Sequence, residues 1–130
     1  MLARARFQQD ADSGAQQLQW LYPALFHAAA GVLRAWDEAS EEEQKESAAF
    51  HLGLIASPTA GPEPEISFRI GQALEHPSPG VREAAIRGIG YARWPELKPA
   101  LQKLAETDDD EYVRELAQAM FDAYAHFGWG

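Results

Sequence analysis

The sequence predicts an all-α fold, an α-solenoid of about three helix pairs followed by a C-terminal half repeat. The first observation is an internal repeat, since Val-Arg-Glu-Ala-Ala at 81–85 returns as Val-Arg-Glu-Leu-Ala at 113–117, 32 residues later. The second is a different segment, Pro-Glu-Ile at 64–66, which returns as Pro-Glu-Leu at 95–97. Two alternating segments at a period of roughly 20 to 50 residues are typical of stacked helical repeats, in which each unit buries its apolar face against the next.

The first helical span is predicted at about 14–36 and contains a proline. Apolar residues such as Leu21 and Leu25 keep helical spacing on both sides of Pro23. The proline therefore either kinks one helix or separates two, and the sequence leaves both alternatives open. Residues 1–12 precede this span and are expected to be disordered.

The second helical span is predicted at 40–56. Its segment Lys-Glu-Ser-Ala-Ala at 45–49 aligns with Arg-Glu-Ala-Ala-Ile at 82–86, so a third and more diverged copy of the repeat is present. Ser40 and Glu43 have the spacing of a capping box, which predicts that the helix begins there.

Two further helices, 64–75 and 79–92, follow a loop at 57–64 that is the best candidate for mobility. Each helix begins with a proline, which suits the first helical position because its φ angle is already suitable and no amide hydrogen is missed. Ser78 is the predicted N-cap of the second helix. The apolar residues of the first helix fall on one stripe of helical period: Ile66, Ile70, Ala73 and Leu74.

The last two helices are predicted at 95–106 and 109–127. Pro95 suits the first helical position, and the acids at 108–111 suit a first turn, where the helix dipole favours negative charge. The last helix has an apolar stripe opposite a polar face, as a terminal repeat requires. The chain is thus interpreted as one domain, 1–130, with repeats at about 14–36, 40–75, 78–106 and 108–127.

Composition and charge exclude several classes of function. The chain of 130 residues has no cysteine, which excludes disulfides and thiolate metal sites and agrees with a reducing compartment. No segment approaches the length of an apolar membrane span, and no secretory signal is visible, so a cytoplasmic location without membrane contact is expected. The net charge of −9, from 11 basic and 20 acidic residues, argues against nucleic acid as a partner. Two interpretations of this charge stay open: it complements a protein partner with a basic surface, or it serves solubility alone.

No catalytic or metal-binding constellation is visible in the sequence. Ser47 and His51 lie one turn apart, but a nucleophile needs a third group that orients its base, and none is found. The acidic run at 108–111 lacks the spaced oxygen ligands and the central glycine of a calcium loop. We therefore predict a protein that is not an enzyme and needs neither metal nor cofactor. The histidines show no pair at metal-ligand spacing: His27, His51, His76 and His126.

One segment resembles the short HEAT-like repeats of bilin-lyase-type proteins. It reads Pro-Ser-Pro-Gly-Val-Arg-Glu-Ala-Ala-Ile-Arg-Gly-Ile-Gly at 77–90, and the next copy opens Asp-Asp-Asp-Glu-Tyr-Val-Arg at 108–114. The resemblance covers 77–121 and extends in diverged form over 40–76. It implies a right-handed solenoid of HEAT-like helix pairs and a function of holding other macromolecules, with enzymes in the minority.

The resemblance also implies a structural role for the repeated arginine. In that family the arginine that follows the acidic turn bonds across neighbouring repeats, so Arg82 and Arg114 resemble scaffold residues. Lys45 stands where this arginine is expected, and Gln44 stands where valine is expected. The first junction between repeats is therefore expected to be looser, or to be adapted as a terminus.

Phe68 lies nearly opposite the apolar stripe of its own helix on a helical wheel. Two interpretations are open: the ring packs under the 57–64 loop or an adjacent helix, or it lies on the concave wall of the solenoid as a partner contact. In the second interpretation, residues 31 positions apart form rows across neighbouring repeats. The predicted partner-binding residues are Phe68 with Pro99, Gln72 with Lys103, Glu65 with Glu96, and Glu75.

The sequence predicts a non-catalytic module that binds a partner protein on its concave face. An aromatic anchor among carboxylates suits a basic protein or peptide. The small size and acidic charge suggest an inhibitor, such as an immunity protein or antitoxin of a basic toxin. Two alternatives stay open: a bilin-lyase-type enzyme or accessory that holds a tetrapyrrole-like ligand noncovalently, and a fragment of a longer HEAT scaffold.

Overall fold

The computed structural model describes residues 29–57 and 63–127. The chain divides into two compact units, Met1–Gly31 and Val32–Gly130. Of the first unit only residues 29–31 are described, and they are helical. The alternatives for Pro23 and the expectation for residues 1–12 therefore lie outside the described residues.

All regular structure in the described ranges is helical, which confirms the prediction of an all-α solenoid. The helices are α1 (29–38), α2 (Glu42–Ala56), α3 (Pro64–Leu74), α4 (Pro79–Ala92), α5 (Lys98–Thr107) and α6 (Glu111–His126), and a 3-10 turn (Pro95–Leu97) leads into α5. Within the second unit α2 packs against α4, and α5 packs against α6, while α3 contacts both α2 and α4.

Three helices begin with a side-chain cap. The Ser78 hydroxyl accepts from the amide of Val81, as the sequence predicts. The carboxylates of Glu63 and Asp110 cap α3 and α6 in the same way, each through the third amide that follows. Because these caps satisfy amides that have no partner within the helix, they fix where α3, α4 and α6 begin.

The capping box predicted at Ser40 and Glu43 is absent. The N-cap of α2 is Glu41, whose side chain makes no capping hydrogen bond. Since the helix begins one residue later than predicted, Glu43 is one position short of the place from which it could reach back. Gln44 takes that place, and its side-chain oxygen accepts from the Ser40 amide at 3.4 Å.

The helix predicted at 95–106 begins differently. Pro95–Leu97 forms a 3-10 turn, and the α-helix starts at Lys98. Pro99 has no amide hydrogen to give to the carbonyl of Pro95, which instead accepts from the amide of Lys98 in the shorter 3-10 pattern. The second proline of the segment thus explains the tighter first turn.

The core of the second unit receives side chains from α2 to α6, and α2 and α4 cross closely within it. Gly53 and Gly88 meet where these helices cross, and a Cβ atom on Gly88 would come within 2.6 Å of the Phe50 carbonyl oxygen. Only glycine allows two helix backbones to approach so closely. The largest fully buried side chains are those of Leu52, Ile70, Val81, Ile86, Ile89, Leu101, Val113 and Tyr124.

Arg82 joins neighbouring repeats, as the family resemblance implies. Its guanidinium donates to Asp108 at 2.9 Å and to Asp109 at 3.0 Å, both in the turn before α6. Arg114 makes the equivalent of the other bond of Arg82: its guanidinium donates to the Asp108 carbonyl oxygen in the turn before α6, as that of Arg82 donates to the His76 carbonyl oxygen before α4. A bond from Arg114 to a following repeat stays a prediction.

Candidate protein-binding surface

Phe68 is the most exposed large apolar side chain among the described residues, at 64%. It lies on α3 opposite Ile66 and Ile70, which are buried. The helical wheel places it there because α3 has a single apolar stripe, and that stripe is already used for packing against α2 and α4. Most of the Phe68 ring is therefore accessible for contact.

The other predicted partner-binding residues are also at the surface. The chain brings them there on equivalent segments of neighbouring repeats, α3 in one and the 3-10 turn with α5 in the next. Within α3 they follow one another at helical spacing on the side of Phe68. The exposed residues are Glu65, Gln72 and Glu75 in and just after α3, and Glu96, Pro99 and Lys103 in the equivalent segment.

Arg69 controls the charge beside Phe68. Its guanidinium donates twice to Asp37, at 2.9 Å and 2.7 Å, and its third nitrogen lies 2.9 Å from the Glu65 carboxylate. The hydrogen bond from Arg69 holds the pKa of Asp37 below its usual value. The charge of Glu65 is thus partly compensated, whereas Glu75 and Glu96 have no ion pair in the described ranges.

An open groove of about 450 Å³ lies next to this part of α3. Trp36 forms its base, because the ring is only 3% exposed and its indole nitrogen donates to the side-chain oxygen of Gln72 at 2.8 Å. Lys45 crosses the same ring with its ammonium nitrogen 4.0 Å from the ring centroid. The groove is lined by Trp36, Asp37, Lys45, Gln72, Glu75, His76 and Pro77.

His76 closes one side of this groove as a neutral side chain. Its Nδ1 accepts a hydrogen bond from the Ser78 amide at 3.0 Å, so the ring proton is on Nε2. Burial lowers the pKa of His76, and the positive charges of Lys45 and Arg82 lower it further, while Glu42 opposes them. The ring meets Trp36 edge to face at 6.1 Å.

Sequence reasoning identified Gln72 and Glu75 but not the groove that they line. The missing signals are the contacts of Trp36 with Gln72 and Lys45, which join three different helices. Helical periodicity describes the face of one helix and carries no information about such contacts. The substitution of lysine for the repeated arginine at position 45 was the one visible signal.

A second aromatic surface lies on α2 and α4. Phe50 and Tyr91 meet edge to face at 5.8 Å, and Tyr91 is 50% exposed. On the same side of the repeats, the Tyr112 hydroxyl accepts from the Arg87 guanidinium at 2.9 Å. These aromatic residues contact neighbouring side chains, whereas no ring contact or hydrogen bond of the Phe68 side chain is present in the described ranges.

The described residues contain neither a metal-binding cluster nor a membrane-spanning helix. No group of histidine and acidic side chains is arranged to hold a metal ion. No helix in these ranges is both long and apolar enough to span a bilayer.

Comparison with known proteins identifies the repeats. Residues 29–120 match a family model described as HEAT repeats. No curated protein and no solved structure matches the chain. The matched range includes α1 to α5 and most of α6. It therefore contains Phe68 and all residues that line the groove over Trp36, which is called the Trp36 groove below.

Proposed function

The chain belongs to the HEAT-repeat family, and on that basis we propose that it binds a protein with a basic surface through α3 and the equivalent segment of the next repeat. HEAT repeats generally mediate protein–protein interaction, and they are typically non-catalytic scaffolds. The surface in question consists of Glu65, Phe68, Gln72, Glu75, Glu96, Pro99 and Lys103, and is called the partner-binding face below.

The exposure of Phe68 is the observation that carries the proposal. An aromatic ring of this exposure leaves apolar area in water that a partner would cover, and large aromatic side chains are frequent binding hot spots. A guanidinium or ammonium group stacked on the ring would gain about 1 kcal/mol or more, depending on how far it is desolvated. A basic side chain is therefore the natural counterpart of Phe68.

The charges near Phe68 favour the same partner. Glu75 lies two turns further along the same side of the chain, and Glu96 occupies the position of Glu65 in the next repeat. The net charge of −9 adds a long-range attraction for cationic surfaces, which raises association rates at low salt. Lys103 is the opposing charge on this face, so the partner would meet a mixed surface with an acidic excess.

A narrower form of the proposal is that the partner is a basic enzyme and that this protein inhibits it, as an immunity protein or antitoxin inhibits a toxin. The support is the small size of the chain, its acidic charge and its scaffold fold. A rigid face that covers a cationic active site could inhibit without chemistry of its own, because complementary charges speed the encounter and select the partner.

Affinity capture from the source cell, followed by calorimetry with the captured protein, tests the proposal. Phe68→Ala is expected to weaken binding roughly 30-fold or more, the loss of a hot spot of about 2 kcal/mol. Tyr91→Ala, an exposed aromatic on the other surface, is the matched control and is expected to bind normally. Affinity should also fall as salt rises.

Two results would contradict the proposal. One is a captured partner that binds Phe68→Ala with unchanged affinity while Tyr91→Ala binds more weakly. The other is a partner with an acidic binding surface, whose affinity does not decrease with salt. Both variants change exposed side chains, so unchanged circular dichroism spectra are expected and serve as the check on folding.

A further inference from the structure

The turns before α4 and α6 are equivalent parts of neighbouring repeats. Ser78 and Asp110, 32 residues apart, each cap the helix that follows through the third amide after them. Two residues earlier, His76 Nδ1 accepts from the Ser78 amide at 3.0 Å, as Asp108 Oδ1 accepts from the Asp110 amide at 2.9 Å. His76 therefore occupies the structural position of Asp108.

Lys45 occupies the position of Arg82 in the preceding repeat. Both side chains bond back to a carbonyl oxygen earlier in the chain: Arg82 to that of His76, in the turn before α4, at 2.8 Å, and Lys45 to that of Trp36, near the end of α1, at 2.5 Å. Arg82 also bonds forward to the next repeat, where its Nε lies 2.9 Å from Asp108. At each of the two junctions a basic side chain, Lys45 at the first and Arg82 at the second, is thus held by a carbonyl oxygen that precedes it in the chain.

The two junctions differ in the residues of the next repeat that face the cation. At the second junction two carboxylates, those of Asp108 and Asp109, receive the guanidinium. At the first junction the equivalent residues, His76 and Pro77, carry no charge opposite to that of Lys45. In the described ranges no carboxylate forms an ion pair with the Lys45 ammonium. The Trp36 groove opens at this position.

The acceptor groups that line the groove are largely occupied. Both carboxylate oxygens of Asp37 bond to Arg69, so the influence of Lys45 on the pKa of Asp37 is exerted at longer range. The side-chain oxygen of Gln72 accepts from Trp36. Of the acidic and amide side chains in the lining, Glu75 is the one whose oxygens receive no hydrogen bond from the described residues, and that side chain is exposed.

One wall of the groove carries hydrogen-bond donors that are not used within the described residues. The Lys45 ammonium has three hydrogens and gives one to the Trp36 carbonyl. The side-chain amide of Gln72 keeps its two hydrogens, and His76 keeps the hydrogen on Nε2. A ligand that fits must therefore bring acceptors, and preferably negative charge, to this wall of the groove.

We propose that the Trp36 groove binds a carboxylate of a peptide segment, which takes the place relative to Lys45 that Asp108 takes relative to Arg82. The chain itself contains the occupied form of this junction, in which the carboxylate is part of the next turn. The more distant negative charges of the chain are largely screened at physiological ionic strength beyond about 8 Å. Of the two acids in the lining, Asp37 is paired with Arg69 and Glu75 is exposed to solvent. The inference rests on the proposed function in one respect: the peptide segment is taken to be part of the partner protein.

Titration of the ¹⁵N-labelled protein with three short peptides tests the site. One is acetylated and amidated with an internal glutamate, one is identical but carries glutamine, and one is acetylated with a free C-terminal carboxylate. The Trp36 indole resonance and the Gln72 side-chain amide are expected to shift with a carboxylate peptide and not with the glutamine peptide. Comparison of the two carboxylate peptides identifies a side chain or a chain terminus as the source.

Lys45→Met removes the ammonium and keeps an apolar stem over the Trp36 ring. It is expected to weaken carboxylate binding roughly tenfold, the size of one charge-assisted hydrogen bond. Lys98→Met is the matched control, since it removes the same charge from above another aromatic ring, that of Phe121, whose centroid lies 5.4 Å from the Lys98 ammonium nitrogen. It is expected to change the affinity less than about twofold, as remote surface charges do.

A second experiment fills the groove from within the chain. The double variant His76→Asp with Pro77→Asp copies the Asp108–Asp109 pair into the first junction. It is expected to lose affinity for the carboxylate peptides and to raise the thermal midpoint when Lys45 is present but not in the Lys45→Met background. Such a difference measures the coupling of the new carboxylates to Lys45 directly.

Three results would overturn this inference: equal shifts with the glutamate and glutamine peptides, unchanged affinity in Lys45→Met, or no coupling between Lys45 and the double variant. None of them would affect the proposed binding at Phe68. Phe68→Ala is expected to bind the short peptides normally, so the groove and the partner-binding face can fail separately.

Discussion

Gly53 and Gly88 touch through their main chains where α2 crosses α4. A Cβ atom on Gly53 would overlap the Gly88 carbonyl group, and one on Gly88 would lie 2.6 Å from the Phe50 carbonyl oxygen. The obstacles are backbone atoms of neighbouring helices, which cannot move without separating the helices. The close packing of α2 against α4 thus depends on the absence of a side chain at both positions.

We expect Gly88→Ala to lower the free energy of unfolding by about 2 kcal/mol or more. Separation of the two helices costs roughly 1 to 3 kcal/mol or more, and it exceeds the gain of up to about 1 kcal/mol in helix propensity. Gly71→Ala is the matched control, because a Cβ at this exposed position of α3 meets nothing within 4 Å. Urea unfolding should show Gly71→Ala as neutral or stabilising, and a similar effect of both variants would contradict the close crossing.

Arg82 is expected to contribute more to stability than any surface arginine. Arg82→Met leaves Asp108, whose side chain is 4% exposed, as a buried charge without its partner, and should cost about 3 to 5 kcal/mol. Arg87→Met removes an ion pair with Glu83 that is open to solvent and should cost less than about 1 kcal/mol. Chemical denaturation of both variants makes the comparison, and equal losses would show that the junction is not held by Arg82.

The order of the helices could be predicted from the sequence because the same helical signals occur in neighbouring repeats. The starts of α3 and α4 follow from a proline at the first helical position, and Ser78 adds a cap that the structure confirms. The predicted start of α2 was wrong because Ser40, a plausible N-cap residue, lies one residue before the actual N-cap, Glu41. A capping signal alone does not decide between adjacent residues, since backbone geometry selects the N-cap.

The candidate site could be predicted only in part. Phe68 was identified because its position conflicts with the apolar stripe of its own helix, a local signal. The Trp36 groove depends on Trp36, Lys45 and Gln72, which belong to three different helices. Such contacts arise from packing between helices, and the periodicity within one helix does not determine which distant residues meet.

His76 makes stability depend on pH in the acidic range. Its pKa is lowered by burial and by the charges of Lys45 and Arg82, whereas in the unfolded chain it is about 6.5. Above that value the ring is neutral in both states and the stability is fully present. Below it the unfolded chain binds the proton more readily, so stability is lost as pH falls from about 6.5 toward the lower folded pKa.

Protonation at Nδ1 would also remove the acceptor that receives the Ser78 amide. We expect His76→Asn, whose side-chain oxygen can accept this hydrogen bond, to show a flatter thermal midpoint between about pH 7.5 and 5.5 than the unsubstituted protein. The window lies above the titration of most carboxylates, so their contribution is small there. An equal slope in the two proteins would show that His76 does not carry the dependence.

Tyr124 closes the end of α4 from the side of α6. Its hydroxyl donates to the Ile89 carbonyl oxygen at 2.8 Å, and the backbone amides of Arg93 and Trp94 also interact with it. Burial raises the pKa of Tyr124 to about 12, despite the opposing effect of those amides. The folded state therefore favours the neutral phenol, and its contribution to stability is present below about pH 10 and lost as pH rises toward 12.

We expect Tyr124→Phe to lower the free energy of unfolding by about 1 kcal/mol, the net value of one buried hydrogen bond. It should also reduce the loss of stability at alkaline pH, because the phenylalanine has no proton to release. Tyr112→Phe is the matched control: this exposed side chain should change stability by less than about 0.5 kcal/mol. Denaturant unfolding at neutral and alkaline pH separates the two effects. A Tyr124→Phe variant that loses stability with pH as steeply as the unsubstituted protein would show that another group is responsible for the alkaline dependence.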